Sequence, residues 1–104
     1  METDTLNTLV TGAIWRAEQL EAYGIYPATQ AWSEVSSLEE ELAKAHPASK
    51  SQGRIARRGA VRAALKAGDY SRGHELAALY LGEKSAPESL KAALRIIMEE
   101  DARS

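Results

Sequence analysis

Residues 53–67 read GRIARRGAVRAALKA, and this stretch decides how the rest of the chain is interpreted. On a helix of 3.6 residues per turn its five alanines fall on one face, and its five basic residues spread over much of the opposite half. The basic residues are Arg54, Arg57, Arg58, Arg62 and Lys66. Alanine permits close helix packing, while arginine stems cover apolar surface and keep their charged ends in water. The stretch therefore predicts a helix that packs through alanine and presents positive charge.

The buried side of this basic helix has two candidates. Val61 and Leu65 lie among the basic residues, away from the alanine face. Either the alanine face or the Val61/Leu65 ridge is the core side, or both are buried against different neighbours. The helical pattern leaves these alternatives open.

Charge is segregated along the chain. Residues 1–42 carry eight acidic residues and one basic residue, whereas residues 43–74 carry eight basic residues and one acidic residue. Residues 75–104 are mixed, and the formal net charge of the whole chain is −2. Two opposite blocks in one small chain indicate that they face each other, or that each faces a partner.

Length and composition indicate one ordered domain over residues 1–104. The hydrophobic fraction is 44% and the charged fraction 27%, which is ordinary for a globular protein. The chain contains no cysteine, which excludes disulfides, thiolate zinc sites and cysteine nucleophiles. No apolar run has the length of a membrane span, and the N-terminus lacks a signal-peptide pattern. We therefore expect a cytoplasmic protein without membrane contact.

The first apolar stripe predicts a helix from Asp4 or Thr5 to Tyr23. Apolar residues recur there at alternating spacings of four and three, as on one face of a helix. Gly24 stands where helices commonly end in a left-handed residue, and Pro27 blocks continuation.

A second stripe predicts a helix from Pro27 or Ala28 to Ala45, with Trp32 on its core side. Matching stripes on consecutive helices, separated by a short break, indicate an antiparallel helical hairpin over residues 4–45. The acidic run 39–41 lies largely off the stripe, so we expect it to form a solvated helix face.

The second half of the chain predicts three more helices. A polar break over residues 46–52 precedes the basic helix, and Tyr70–Leu81 forms the next amphipathic stripe. Residues 85–88 make a capping-box pattern for a closing helix that frays near residue 101. The fold class is therefore all-α with about five helices, and residues 53–102 form a basic hairpin plus the closing helix.

Residues 54–84, centred on AALKAGDYSRGHELAALYL, resemble a single tetratricopeptide-repeat helical hairpin. Their Ala-Gly-Asp-Tyr turn is similar to the turn between the two helices of that repeat, and Gly73 and Ala77 fall where the family places small packing residues. Val61 departs from the pattern, because the repeat usually has a glycine there, and no second copy follows at the repeat's period. The resemblance implies a protein–protein interaction and no catalysis.

Residues suited to catalysis or metal binding are sparse. The sequence has no phosphate-cradling glycine loop, no serine in a strand–turn–helix elbow and no calcium- or zinc-ligand spacing. His74 lies in a string similar to a histidine phosphotransfer helix, although the Lys-Gly that normally follows is absent. We therefore expect no enzyme, cofactor or metal site, and a phosphotransfer bundle acting through His74 is a third hypothesis.

The basic helix is the strongest candidate for a functional surface. The leading hypothesis is an interaction or adaptor module that docks an acidic protein surface, either on another protein or across a homodimer. The alternative is a nucleic-acid-associated regulator that uses the same arginines, although a pI near 5.7 disfavours it. Trp15 is either a half-exposed interface anchor or a cap on the end of the bundle. The predicted contact residues are Trp15, Arg54, Arg57, Arg58, Arg62 and Lys66.

Overall fold

Helices alone form the regular structure of the residues described by the computed structural model, 2–24 and 28–103. They are α1 (Thr3–Ala22), α2 (Ala28–Ala45), α3 (Ser51–Lys66), α4 (Tyr70–Leu81) and α5 (Glu88–Arg103). This confirms the all-α prediction with five helices in those ranges. The expected start of the second helix at Pro27 lies outside the described residues.

The predicted helix ends agree with the observed ones to within a few residues. Helix α4 has the predicted bounds, whereas α3 begins at Ser51 instead of after the polar break. The backbone N–H of Arg54 already donates to the carbonyl of Lys50 at 3.0 Å, so the first turn forms within the polar residues. The break is consequently short, and Ala48 within it is fully buried.

Helices α1 and α2 form the predicted antiparallel hairpin. The indole Nε1 of Trp32 donates to Glu21 Oε2 at 2.6 Å, and Arg16 pairs with Glu34 farther along the same seam. Gly24, just after α1, has φ +64°, the left-handed conformation that its position predicts. Buried residues on this seam include Ala13, Ala17 and Trp32 itself.

Helix α3 lies at the centre of the fold and packs against α2, α4 and α5. Its alanine face is buried, and Val61 is buried as well, so both candidate core sides pack against neighbours. Helix α4 folds back on α3 through a turn in which Gly68 has φ +77° and Asp69 accepts a hydrogen bond from the backbone N–H of Arg72 at 3.2 Å. An added Cβ at Gly73 would lie 2.5 Å from Leu65 Cδ2, so α3 and α4 approach closely there.

The molecule is flat, with principal extents of 39 × 36 × 18 Å. The backbone of α1 approaches that of α2 and no other described helix, while α2 also contacts α3. Helices α1 and α3 therefore rest side by side on α2 and leave a groove between them. None of the described helices is long and apolar enough to cross a bilayer.

Candidate functional site

The groove between α1 and α3 has a volume of about 370 Å³ and a largely apolar floor. Trp32 and Val35 of α2 form that floor, and Ile14 lines the side that α1 contributes. On the α3 side Ile55 lines the groove and is 54% exposed, which is unusual for a large aliphatic residue. The groove therefore offers apolar area to a partner.

A row of basic residues runs along the α3 side of this groove. Arg54, Arg58, Arg62 and Lys66 are spaced four apart, which places them in one line on a helix. The last three line the groove. We call these four residues the basic row.

The positive charges of the basic row are not neutralised by ion pairs in the part of the chain that the structure describes. None of its members forms an ion pair within the described ranges, and Arg54 is engaged only through a hydrogen bond to the carbonyl of Ser49 at 2.8 Å. Lys66 Nζ lies 4.6 Å from the centre of the Trp32 ring, a cation–π contact that holds the ammonium above the floor. The basic row thus faces the acidic hairpin across the groove, which Glu18 and Glu39 also line, but no ion pair joins the two within the described ranges.

Arg57 differs from the other predicted contact residues because its side chain is buried, with 5% exposed. Its Nε and Nη2 atoms donate to the two carboxylate oxygens of Glu83 at 2.6 and 3.0 Å. Its Nη1 donates to the carbonyls of His46 and Gly53 at 2.9 and 3.0 Å. We therefore remove Arg57 from the contact set, since a docking partner does not reach it while the chain is folded.

Glu39 is the groove residue that the sequence interpretation missed. The acidic run was expected to be solvated, and this is wrong for Glu39, which is 5% exposed. Its carboxylate packs directly against Gly59 of α3, where an added Cβ would lie 2.6 Å from Glu39 Cδ. A signal was present in the sequence, because Glu39 follows Trp32 by seven residues and so shares its helix face.

The burial of Glu39 changes its protonation. Burial raises the pKa of Glu39 to about 7, because the charged form loses its water. Its carboxylate makes no hydrogen bond or ion pair with the residues that the structure describes. Close to neutral pH the groove floor thus changes between a neutral acid and an anion.

The other two acids of the run, Glu40 and Glu41, form ion pairs, that of Glu41 being with Lys44 at 3.5 Å. Glu40 accepts from Arg72 Nη2 at 2.7 Å, and Arg72 Nε also donates to the buried Ser36 hydroxyl at 3.1 Å. Ser36 in turn donates to the carbonyl of Ala60 at 2.8 Å. These bonds tie α4 to α2 and α2 to α3, so they fix the floor and the α3 side of the groove relative to each other.

Trp15 and His74 both lie at the surface. Trp15 is 65% exposed on α1, beside Ile14 of the groove, so it does not cap the end of the bundle. Its role as an interface anchor stays a prediction. His74 is exposed on α4, which is compatible with the phosphotransfer hypothesis but does not support it. Among the residues described, no group of three or more His, Asp or Glu side chains is placed to hold a metal ion.

Comparison with protein-family models, with curated proteins and with solved structures found no match to this chain. The resemblance to a tetratricopeptide-repeat hairpin therefore depends on residues 54–84 alone and stays a prediction.

Proposed function

We propose that this protein is a non-enzymatic interaction module that docks an acidic, amphipathic helical segment of a partner protein in the groove between α1 and α3. The observation that carries the proposal is the basic row, which has no internal ion pairs in the described structure and lies beside an apolar floor. An amphipathic helix in an apolar groove is a recurrent mode of peptide recognition.

The two parts of the groove have different physical roles. Covering Ile55 and the accessible parts of Trp32 and Ile14 removes apolar area from water, which supplies affinity. Exposed ion pairs contribute only about 0–1 kcal/mol each. The basic row therefore determines the orientation of the partner and accelerates association more than it increases the affinity of the complex.

Trp15 extends this surface beyond the groove. It is a large, exposed aromatic residue on the neighbouring face of α1, and exposed tryptophans are frequent anchors in protein interfaces. A partner helix that overlaps the edge of α1 covers Trp15 in addition to the groove floor. We therefore keep Trp15 in the proposed contact set with the basic row.

Acidic side chains disfavour the nucleic-acid alternative. Glu18 lines the α1 side of the groove and Glu39 lies in its floor, so a phosphate backbone would approach two carboxyl groups. A helical peptide avoids this conflict, because it directs its acids toward α3 and its apolar side chains toward the floor.

The proposal is tested by measuring binding of a fluorescent amphipathic peptide with leucines on one face and glutamates beside them. We expect the double substitution Arg58→Glu and Arg62→Glu to weaken binding at least tenfold. The matched control is Lys84→Glu with Arg95→Glu, which changes the net charge equally at exposed positions outside the groove and should leave affinity within twofold.

Three results would contradict the docking proposal. One is equal affinity for a peptide in which lysines replace the glutamates, and another is an equal effect of the two double variants. The third is tighter, salt-dependent binding of duplex DNA through the same arginines, which would establish the nucleic-acid alternative instead. Sedimentation of the free protein shows whether a second copy is itself the acidic partner.

A further inference from the structure

A second cavity, separate from the groove, lies where the C-terminal ends of α2 and α4 meet the first half of α3. Its volume is about 480 Å³ and it shares no lining residue with the groove. Volumes of about 300–1,000 Å³ are typical of sites for small molecules. The side chains that matter for its chemistry are His46, Arg57, Tyr80 and Glu83, with Glu40 beside them.

Two residues that line this cavity each have a buried polar atom with no hydrogen-bond partner among the described residues. The atoms are the hydroxyl of Tyr80, a residue only 4% exposed, and Nε2 of His46. Buried polar groups in folded proteins are almost always hydrogen-bonded, because an unsatisfied group costs about 1–3 kcal/mol. Two such atoms beside one cavity point to a ligand that bonds with both once the side chains that cover them shift to admit it.

The protein holds these two groups in place. The Arg57 guanidinium carbon lies 5.4 Å from the centre of the Tyr80 ring, and Arg57 is itself fixed by Glu83. Arg57 also donates to the carbonyl of His46, which anchors the backbone of that residue. Burial, and then the charge of Glu40, raises the pKa of Tyr80 to about 12. The hydroxyl therefore stays protonated at neutral pH and is available as a donor.

The charges around the cavity are already balanced. Glu83 is paired with Arg57, and Glu40 is paired with Arg72 at 2.7 Å. Lys44, which also lines the cavity, is paired with Glu41 at 3.5 Å. An anionic ligand would meet these carboxylates, and a cationic one would compete with arginines that already hold them. The apolar part of the lining, which includes Pro47 and Leu79, suits a flat hydrocarbon surface. The ligand that fits is consequently neutral.

We propose that this cavity binds a neutral small molecule through a planar carboxamide, which bonds to both the Tyr80 hydroxyl and His46 Nε2. When Nε2 is the unprotonated nitrogen, the carbonyl oxygen accepts from the tyrosine and the amide N–H donates to the imidazole. When Nε2 carries the hydrogen, the amide turns over, so that its carbonyl oxygen accepts from Nε2 and its N–H donates to the tyrosine oxygen. Because a carboxamide carries both a donor and an acceptor, it satisfies His46 in either neutral tautomer. The rest of the ligand lies against Pro47 and Leu79.

The probe that tests this is benzamide, followed by NMR titration of the whole chain labelled with ¹⁵N and ¹³C. We expect saturable shifts at Tyr80 and His46, with a dissociation constant of about millimolar or lower for a ligand of this size. Benzoate and benzylamine, which match benzamide in shape but carry a charge, should bind at least tenfold more weakly.

Single substitutions distinguish a specific binding site from unspecific binding. Tyr80→Phe removes the donor and keeps the ring, so it should weaken benzamide about 2- to 10-fold, the range expected for one hydrogen bond. His46→Leu provides a second, independent loss, while Tyr70→Phe, at an exposed tyrosine, should change nothing. The proposal is overturned if benzamide gives no saturable shift, if benzoate or benzylamine binds as well, or if Tyr80→Phe binds normally.

Discussion

The buried carboxyl group of Glu39 makes the stability of this protein depend on pH. The pKa of Glu39 is raised from 4.5 to about 7 by burial, so the folded chain binds a proton that the unfolded chain has released between those values. The contribution of Glu39 to the free energy of unfolding therefore falls as pH rises through that window and is constant above it. The shift corresponds to about 3 kcal/mol at most, since one pKa unit is worth about 1.4 kcal/mol.

The substitution Glu39→Gln should remove this dependence while preserving the shape of the side chain. Relative to wild type, the variant should gain up to about 3 kcal/mol in free energy of unfolding on going from pH 5 to pH 8. Urea denaturation at the two pH values measures the effect. Glu41→Gln is the matched control, because Glu41 is exposed. An equal change with pH in both variants would show that the Glu39 carboxyl is solvated.

Two glycines of α3, Gly53 and Gly59, lie in close contact with different kinds of atoms. At Gly59 the obstructing atoms belong to the end of the flexible Glu39 side chain. At Gly53 they belong to the backbone, because an added Cβ would lie 2.7 Å from the carbonyl carbon of Pro47 and 2.9 Å from the carbonyl oxygen of His46. Backbone cannot rotate aside, so α3 packs against the α2–α3 connection only through a glycine.

We therefore expect Gly53→Ala to destabilise the protein by about 1–3 kcal/mol, the usual range for overpacking. The matched control is Gly12→Ala in α1, where nothing lies within 4 Å of the added Cβ. That change should stabilise the protein by up to about 1 kcal/mol through helix propensity. Thermal and urea unfolding of both variants measure the contrast. Stabilisation by both substitutions would mean that α3 does not approach Pro47 this closely.

Elements were easier to predict from this sequence than side-chain environments. Apolar spacing and capping residues are local, and they placed α4 at its observed bounds and the other helices within a few residues. The burial of Arg57 depends on Glu83, which lies 26 residues away and outside any helix. Spacing within α3 does place Arg57 at the edge of the alanine face, three residues before Ala60 and seven before Ala64, whereas Arg58 lies on the opposite side. It does not show which acid would neutralise a buried arginine. The groove likewise depends on the distance between α1 and α3, which the spacing of apolar residues within either helix does not predict.

On the scale of the whole molecule, the helices differ in how many neighbours support them. The backbone of α3 lies close to α2, α4 and α5, whereas that of α1 approaches α2 and none of the other described helices. Opening α1 therefore exposes less buried surface than opening α3, and regions with fewer buried contacts open at lower free energy.

Native-state hydrogen exchange should reveal this order. We expect the central amides of α3 to exchange only through global unfolding, and those of α1 to exchange at least about tenfold faster. Measuring exchange at increasing urea concentrations separates local opening from global unfolding. Equal protection of α1 and α3 at every concentration would indicate that the fold opens as one cooperative unit.

The small-residue face of α3 limits how this protein can be redesigned. Because Gly53, Ala56 and Ala60 meet their neighbours with almost no side-chain volume, a larger residue there has to push a whole helix aside. Only the smallest amino acids fit on that face. Ile55 and Arg62, by contrast, point away from it and are exposed. A library of variants can therefore change these two outward positions without disturbing the packing of α3, whereas the alanine face has to keep its small residues.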